Sequence, residues 1–195
     1  MTTARLTSFT DGVVAIIITI MVLELPVPKA PGMAALQPLS VLFAAYALSF
    51  VKVGIYWSQH HNMLHAARKV SGPVLLANLF FLFWLTLFPL MIRWIDDAGV
   101  TPWPVASFGA VLVGAAVSYL VLERALIRAE GAGSVVKRAV GGGAKELISF
   151  ALYLASIPAA FVSPFISVAI FFGVSILWLV PDRRFERQYF ERSGK

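Results

Sequence analysis

The sequence predicts an all-α integral membrane protein with six transmembrane helices. Three observations lead there. Of 195 residues, 59% are hydrophobic and only 13% are charged, against about 45–50% and about 25% in an ordinary soluble domain. Mean hydropathy is +0.82. Apolar runs near the ~20 residues that cross a bilayer recur along the whole chain. The bilayer core offers no water to backbone groups, so only helices or a closed barrel can span it, and runs this long and continuous favour helices.

The six spans read about 6–25, 38–63, 73–95, 104–127, 144–162 and 164–181. The first is too long for a signal core, lacks a small-residue cleavage site and is followed by further spans, so it is expected to remain in the protein. PVPKAPG ends it. RKVSGP divides the second span from the third, DDAGVTPWP the third from the fourth, and EGAGSVVKRAVGGG follows the fourth. Pro158 and Pro164 bracket a very short turn between the last two. Pro and Gly punctuate because they interrupt or redirect the backbone. No internal repeat stands out.

An even number of crossings puts both termini on one side. That side carries thirteen basic residues: Arg5, Arg68, Lys69, Arg124, Arg128, Lys137, Arg138, Lys145 and five between Arg183 and Lys195. The opposite side has two, Lys29 and Arg93, while Lys52 falls inside a span. The positive-inside rule makes both termini cytoplasmic. The net charge of +6 therefore reflects membrane topology, and no nucleic-acid partner is expected. The chain divides into a membrane domain over 1–182 and a basic cytoplasmic tail over 183–195, read as a solvated end that snorkels to lipid head groups.

Several chemistries are excluded. Without cysteine there are no disulfides, thiolate metal sites or cysteine nucleophiles. HNMLH places His61 and His65 at i and i+4, a spacing that can hold zinc on a helix. The residues between are Asn, Met and Leu, with no acid nearby, so a hydrogen-bonding role is the better reading and no metal site is assigned. VGGGAKE fits no phosphate-loop spacing. VGIYW at 53–57 lies within a continuous helical run, unlike the re-entrant carbonyl filter of ordinary potassium channels. Nothing argues for an enzyme, and no cofactor is expected.

In the first span, about 100° per residue places Phe9, Gly12, Ile16, Ile20 and Leu23 on one face with Thr19 at its edge. Arg5 falls near the same face, whereas Thr10 and Asp11 point roughly away. An Asp near the middle of a span costs about 2.5–3.5 kcal/mol even on the lenient insertion scale, so Asp11 needs partners. Trp57, His60 or His61, and Asn78 lie at similar depth and can donate. Lys52 is about 13 Å beyond His61; it either snorkels or faces a water-filled cavity. The apolar stripe itself contacts lipid or core, or lines a hydrophobic constriction.

Arg5-x-x-x-Phe9-Thr10-Asp11 followed by GVVAIIITIMVLEL closely resembles the first-helix motif of the transmembrane protein 175 family, Arg-x-x-x-Phe-Ser-Asp. YWSQHH and ANLFFLFWLTLFP resemble its second and third helices. The resemblance follows all six spans and is sharpest over roughly the first 90 residues. It implies a potassium channel: a homotetramer in the lipid bilayer, with four first helices lining a central pore for permeant monovalent cations. The single-repeat length suggests a prokaryotic member, in the bacterial or archaeal inner (plasma) membrane. By the same resemblance Ile16, Ile20 and Leu23 map to constriction rings and Thr19 to the ion path. Arg5, Phe9, Thr10 and Asp11 map to residues that hold the pore helix against helices 2 and 3. Thr10 departs from the motif's Ser but keeps the hydroxyl. Lys52 is not expected from the family. The competing functions are a proton-coupled secondary transporter using Asp11 and the helix-2 histidines, since intramembrane ionisable groups are functional candidates, and a noncatalytic membrane scaffold.

Overall fold

The computed structural model describes residues 2–28, 32–67, 69–131, 134, 136 and 143–179. The expected tail at 183–195, its boundary at 182, and Lys29, Arg68, Lys137 and Arg138 lie outside the described residues. Seven α-helices and one 3₁₀ segment account for nearly all of the rest, with no strand among the described residues.

Helix α1 runs Thr3–Leu23 and is capped by Thr2, whose hydroxyl accepts from the Arg5 backbone N–H. A 3₁₀ segment, Met33–Leu39, leads into α2, Ser40–Ala66. Pro38 sits in that segment, where the tighter winding ends and α-helix begins. The second span is therefore not one regular helix from residue 38.

The third expected span is two helices. α3 covers Gly72–Thr86 and α4 covers Phe88–Ala98. Pro89 explains the break, because it has no N–H for the Leu85 carbonyl and its ring crowds that carbonyl. The Leu87 N–H instead reaches back three residues to Trp84 at 3.3 Å, and Met91 resumes the α pattern on Leu87 at 3.1 Å. Beyond the break α4 is two-sided: Phe88, Met91, Ile92 and Ile95 are buried, while Arg93, Asp96 and Asp97 face outward.

α5, Pro102–Glu130, opens on a proline at its first turn, where the missing N–H is an orphan in any case. α6 covers Ala144–Val162 and α7 covers Pro164–Leu179. Pro158 lies inside α6 rather than at its end: the helix continues for another turn, and Ser163 alone separates it from α7. Membrane helices tolerate such a proline because local adjustments and neighbours re-satisfy the freed carbonyl. Five spans are long and apolar enough to cross a bilayer, with α3 and α4 counted together; α7 is apolar and shorter. At about 1.5 Å per residue α5 is about 43 Å long, so it fits a bilayer core of about 30 Å only when tilted or protruding.

α5 is the central element, packed against α3, α4, α6 and α7, while α1 packs on α2, α3 and α4 at the flank of the bundle. Edge-to-face rings tie the core together. Phe88 meets Phe108 at 5.5 Å, and Phe108 meets Phe171 at 5.3 Å. Where α3 crosses α5, the Trp84 indole lies directly on Gly114, and a Cβ there would overlap the ring. Small residues let membrane helices approach this closely.

Gly114→Ala should therefore lower stability by about 1–3 kcal/mol through overpacking, read as the thermal midpoint of the detergent-purified protein. Combining it with Trp84→Leu should recover much of the loss. Additive losses in the double variant would show that the two residues do not share this contact.

Candidate functional site

Two opposite faces of α1 define the candidate site. Leu6, Thr10, Val14, Ile17 and Met21 recur every three or four residues and are buried against the bundle. On the other side Phe9 is 48% exposed, Ile16 59%, Ile20 40% and Leu23 79%. Arg5, Gly12, Ala15 and Thr19 are exposed along the same strip. Large apolar side chains are thus uncovered along the whole length of one helix, and the stripe is the one that the helical period gives. The Thr19 hydroxyl donates to its own helix, with the Ala15 carbonyl at 2.7 Å and the Ile16 carbonyl at 2.9 Å. Its oxygen lone pairs remain available on the exposed face.

The buried face carries a polar network. Thr10 is fully buried, as are Asn78 on α3 and His60 on α2. The Asn78 amide Nδ2 donates to Thr10 Oγ1 at 3.1 Å, and His60 Nε2 lies 2.7 Å from Asn78 Oδ1. With Oδ1 as acceptor, Nε2 must carry the proton, which assigns the Nε2–H tautomer. His60 Nδ1 is then a buried lone pair without a partner among the described residues. The ring also stacks on Phe81 at 5.8 Å and 9°. Three helices are joined at one point through neutral groups.

Asp11 is half-buried beside this network and accepts a hydrogen bond from Trp57 Nε1 at 2.8 Å. Sequence reasoning grouped Trp57, His60, His61 and Asn78 around Asp11. The structure brings Trp57 to Asp11, but pairs Asn78 with Thr10 and His60 with Asn78. His61 stacks between Trp57 at 5.8 Å and His65 at 6.1 Å and has no described hydrogen bond to Asp11. Arg5 and Phe9 lie on the exposed side of α1.

Two contacts were not legible beforehand. Glu24, which caps the C-terminus of α1, pairs with Arg93 at 3.6 Å, and Arg93 also bonds Asp97 at 3.2 Å. This ties the far end of α1 to α4. The sequence offers no periodic signal linking residues 24 and 93. Lys52 is 2% exposed and donates to Tyr153 Oη on α6 at 2.5 Å. It faces a cavity rather than snorkelling. Among the described residues no group of three or more His, Asp or Glu forms a metal-binding cluster.

Known proteins resemble this chain in sequence and in fold. The family model described as endosomal/lysosomal potassium channel TMEM175 matches residues 5–89. A potassium channel of Chryseobacterium sp. (strain P1-3) is 45% identical over 187 residues, which cover 96% of this chain and 97% of that one. A potassium channel of Streptomyces collinus is 33% identical over 112 residues, covering 55% of this chain and 48% of that one. The crystal structure of a lysosomal potassium-selective channel TMEM175 homolog from Chamaesiphon minutus shares the fold, with a TM-score of 0.76 at 21% identity over 91% of this chain and 96% of that one.

Thr10→Val should cost about 1–3 kcal/mol, the penalty for leaving the buried Asn78 amide unsatisfied, whereas Thr10→Ser should stay near the parent. Thermal midpoints of the purified variants measure the difference. Equal midpoints for the two would remove the hydroxyl from the account.

Proposed function

The chain belongs to the TMEM175 family, and from that premise we propose that it is a potassium-preferring cation channel. It assembles as a homotetramer in the plasma membrane of a bacterium or archaeon, with both termini cytoplasmic and four copies of α1 around the axis. The observation that carries this reading is the uncovered stripe of Ile16, Ile20 and Leu23, opposite a face that is hydrogen-bonded into the bundle.

The chemistry follows from the two faces. Rings of branched side chains at Ile16, Ile20 and Leu23 form narrow apolar collars, and such collars gate by dewetting. An ion crossing them sheds part of its water. Potassium holds its water less tightly than the smaller sodium ion, so the collars favour potassium to a modest degree. The Thr19 oxygen offers one polar contact between the collars. Asp11 and Trp57, with Thr10, Asn78 and His60, set the rotation of α1 so that the apolar stripe meets the axis. The Trp57–Asp11 hydrogen bond, at 2.8 Å, adds a further restraint on that rotation. Arg5 and Phe9, uncovered in one chain, are assigned to contacts with neighbouring subunits. A proton-coupled carrier built on Asp11 and the histidines has less support, because no described hydrogen bond joins Asp11 to His60 or His61.

Purified protein in proteoliposomes should dissipate a potassium gradient faster than empty vesicles, with unitary current steps in planar bilayers. Saturable, proton-dependent flux without steps would replace the channel by a carrier, and no flux under any gating condition would leave a scaffold. Ile16→Ser should raise conductance and weaken the preference for potassium over sodium. Unchanged currents in that variant would remove Ile16 as the bottleneck.

A further inference from the structure

Away from the α1 face, a cavity of about 40 Å³ lies among α2, α5, α6 and α7, and none of its lining comes from α1. Lys52, Tyr56, Gln59, Tyr119, Ser149 and Tyr153 contribute polar groups, Glu146 also stands in the wall, and the rest of the lining is largely apolar. We propose that this cavity is a binding site for a small monovalent anion, a halide or a short carboxylate, held by the Lys52 ammonium and the hydroxyl of Tyr153.

The argument starts from Lys52. Its side chain is buried at mid-helix in α2, and an ammonium has three protons to donate and no acceptor of its own. Tyr153 Oη takes one of them. No carboxylate lies within ion-pair distance among the described residues. A charge placed at this depth calls for a counter-charge or for further acceptors. Most of the polar groups nearest Lys52 are donors, and Gln59 adds a donor as well as an acceptor. Having accepted from Lys52, the Tyr153 hydroxyl still has its own proton to give. Ser149 is in the same position, because its Oγ accepts from Trp178 Nε1 at 2.8 Å. The Tyr56 and Tyr119 hydroxyls add two more donors to the lining. A cluster so rich in donors around a buried cation matches an anion.

Size and sign narrow the class. The cavity accommodates about three water-sized groups, which admits chloride, bromide, formate or acetate and excludes sugar acids and lipid head groups. Two carboxylates stand toward the other end. Glu146 precedes Tyr153 by two helical turns, about 10 Å along α6, and Glu123 follows Tyr119 by one turn of α5. Their field opposes an anion and disfavours any ligand of higher charge.

The test uses the full-length protein in detergent, with thermal unfolding compared in potassium chloride, bromide, acetate and gluconate at matched ionic strength. Gluconate is too large for the cavity. The expected result is a midpoint about 3–5 °C higher in at least one small anion than in gluconate. A rise with the halides assigns the site to them, and crystals grown in bromide should then show an anomalous peak beside Lys52 Nζ. A rise with acetate alone assigns it to carboxylates. Lys52→Met should abolish the shift, and Glu146→Gln should enlarge it. The proposal is overturned by equal midpoints in all four salts, by a shift that Lys52→Met retains, or by a shift that Glu146→Gln diminishes, which would make Glu146 the counter-ion. If Lys52→Met does not fold, Tyr153→Phe keeps the charge and must still reduce the shift. None of these readouts involves ion flux, so their failure would leave the channel reading untouched.

Discussion

A polar side chain inside a bilayer has no water to fall back on, and the placement of α1 follows from that single constraint. Thr10, Asn78 and His60 lie on three different helices and are joined by hydrogen bonds through Asn78. Rotating α1 by even a quarter turn would strand Thr10 against hydrocarbon and leave the Asn78 amide without its acceptor. In water such a rotation would be inexpensive, because solvent would replace the lost partners. In lipid each orphaned group costs roughly what a lost buried hydrogen bond costs, about 1–3 kcal/mol. The register of the helix is thereby fixed by neutral groups.

The remainder of the bundle supports that placement. α5 supplies the centre, and its small residues admit Trp84 against Gly114, which holds α3 and therefore Asn78 in position. Asn78 and Trp84 both lie within the α3 helix, Gly72–Thr86. The irregularity at Pro89 comes after them. The apolar stripe of α1 is left over from this arrangement and stays exposed among the described residues.

The sequence reveals some layers of this structure better than others. The stripe of α1 was legible because helical periodicity is a local property, and Phe9, Ile16, Ile20 and Leu23 declare it without reference to any other segment. That Thr10, Asp11, Trp57, His60 and Asn78 share a depth was also legible, because rise per residue gives depth. Their pairing was not. Whether Asn78 meets Thr10 or Asp11 depends on a helix rotation of a few tens of degrees, which packing sets and no single segment encodes. The split of the third span shows the same limit: Pro89 was visible, yet its hydropathy ran on unbroken, and the run was read as one helix. Tyr153 lies 101 positions from Lys52, and nothing local joins them.

The two ends of α1 are held by bonds of different physical kinds. Its N-terminal half is tied by the buried, neutral bonds among Thr10, Asn78 and His60, which ions in solution do not reach, and by the more exposed Trp57–Asp11 bond. Its C-terminal end is tied through Glu24 to Arg93, a pair whose Arg side chain is 56% exposed. Screening shortens from about 8 Å at physiological ionic strength to about 3 Å in molar salt, so the Glu24–Arg93 tether weakens as salt concentration rises while the Thr10–Asn78–His60 bonds do not. The helix is in effect clamped at one end and sprung at the other, and the stiffness of the spring is set by the electrolyte outside the protein.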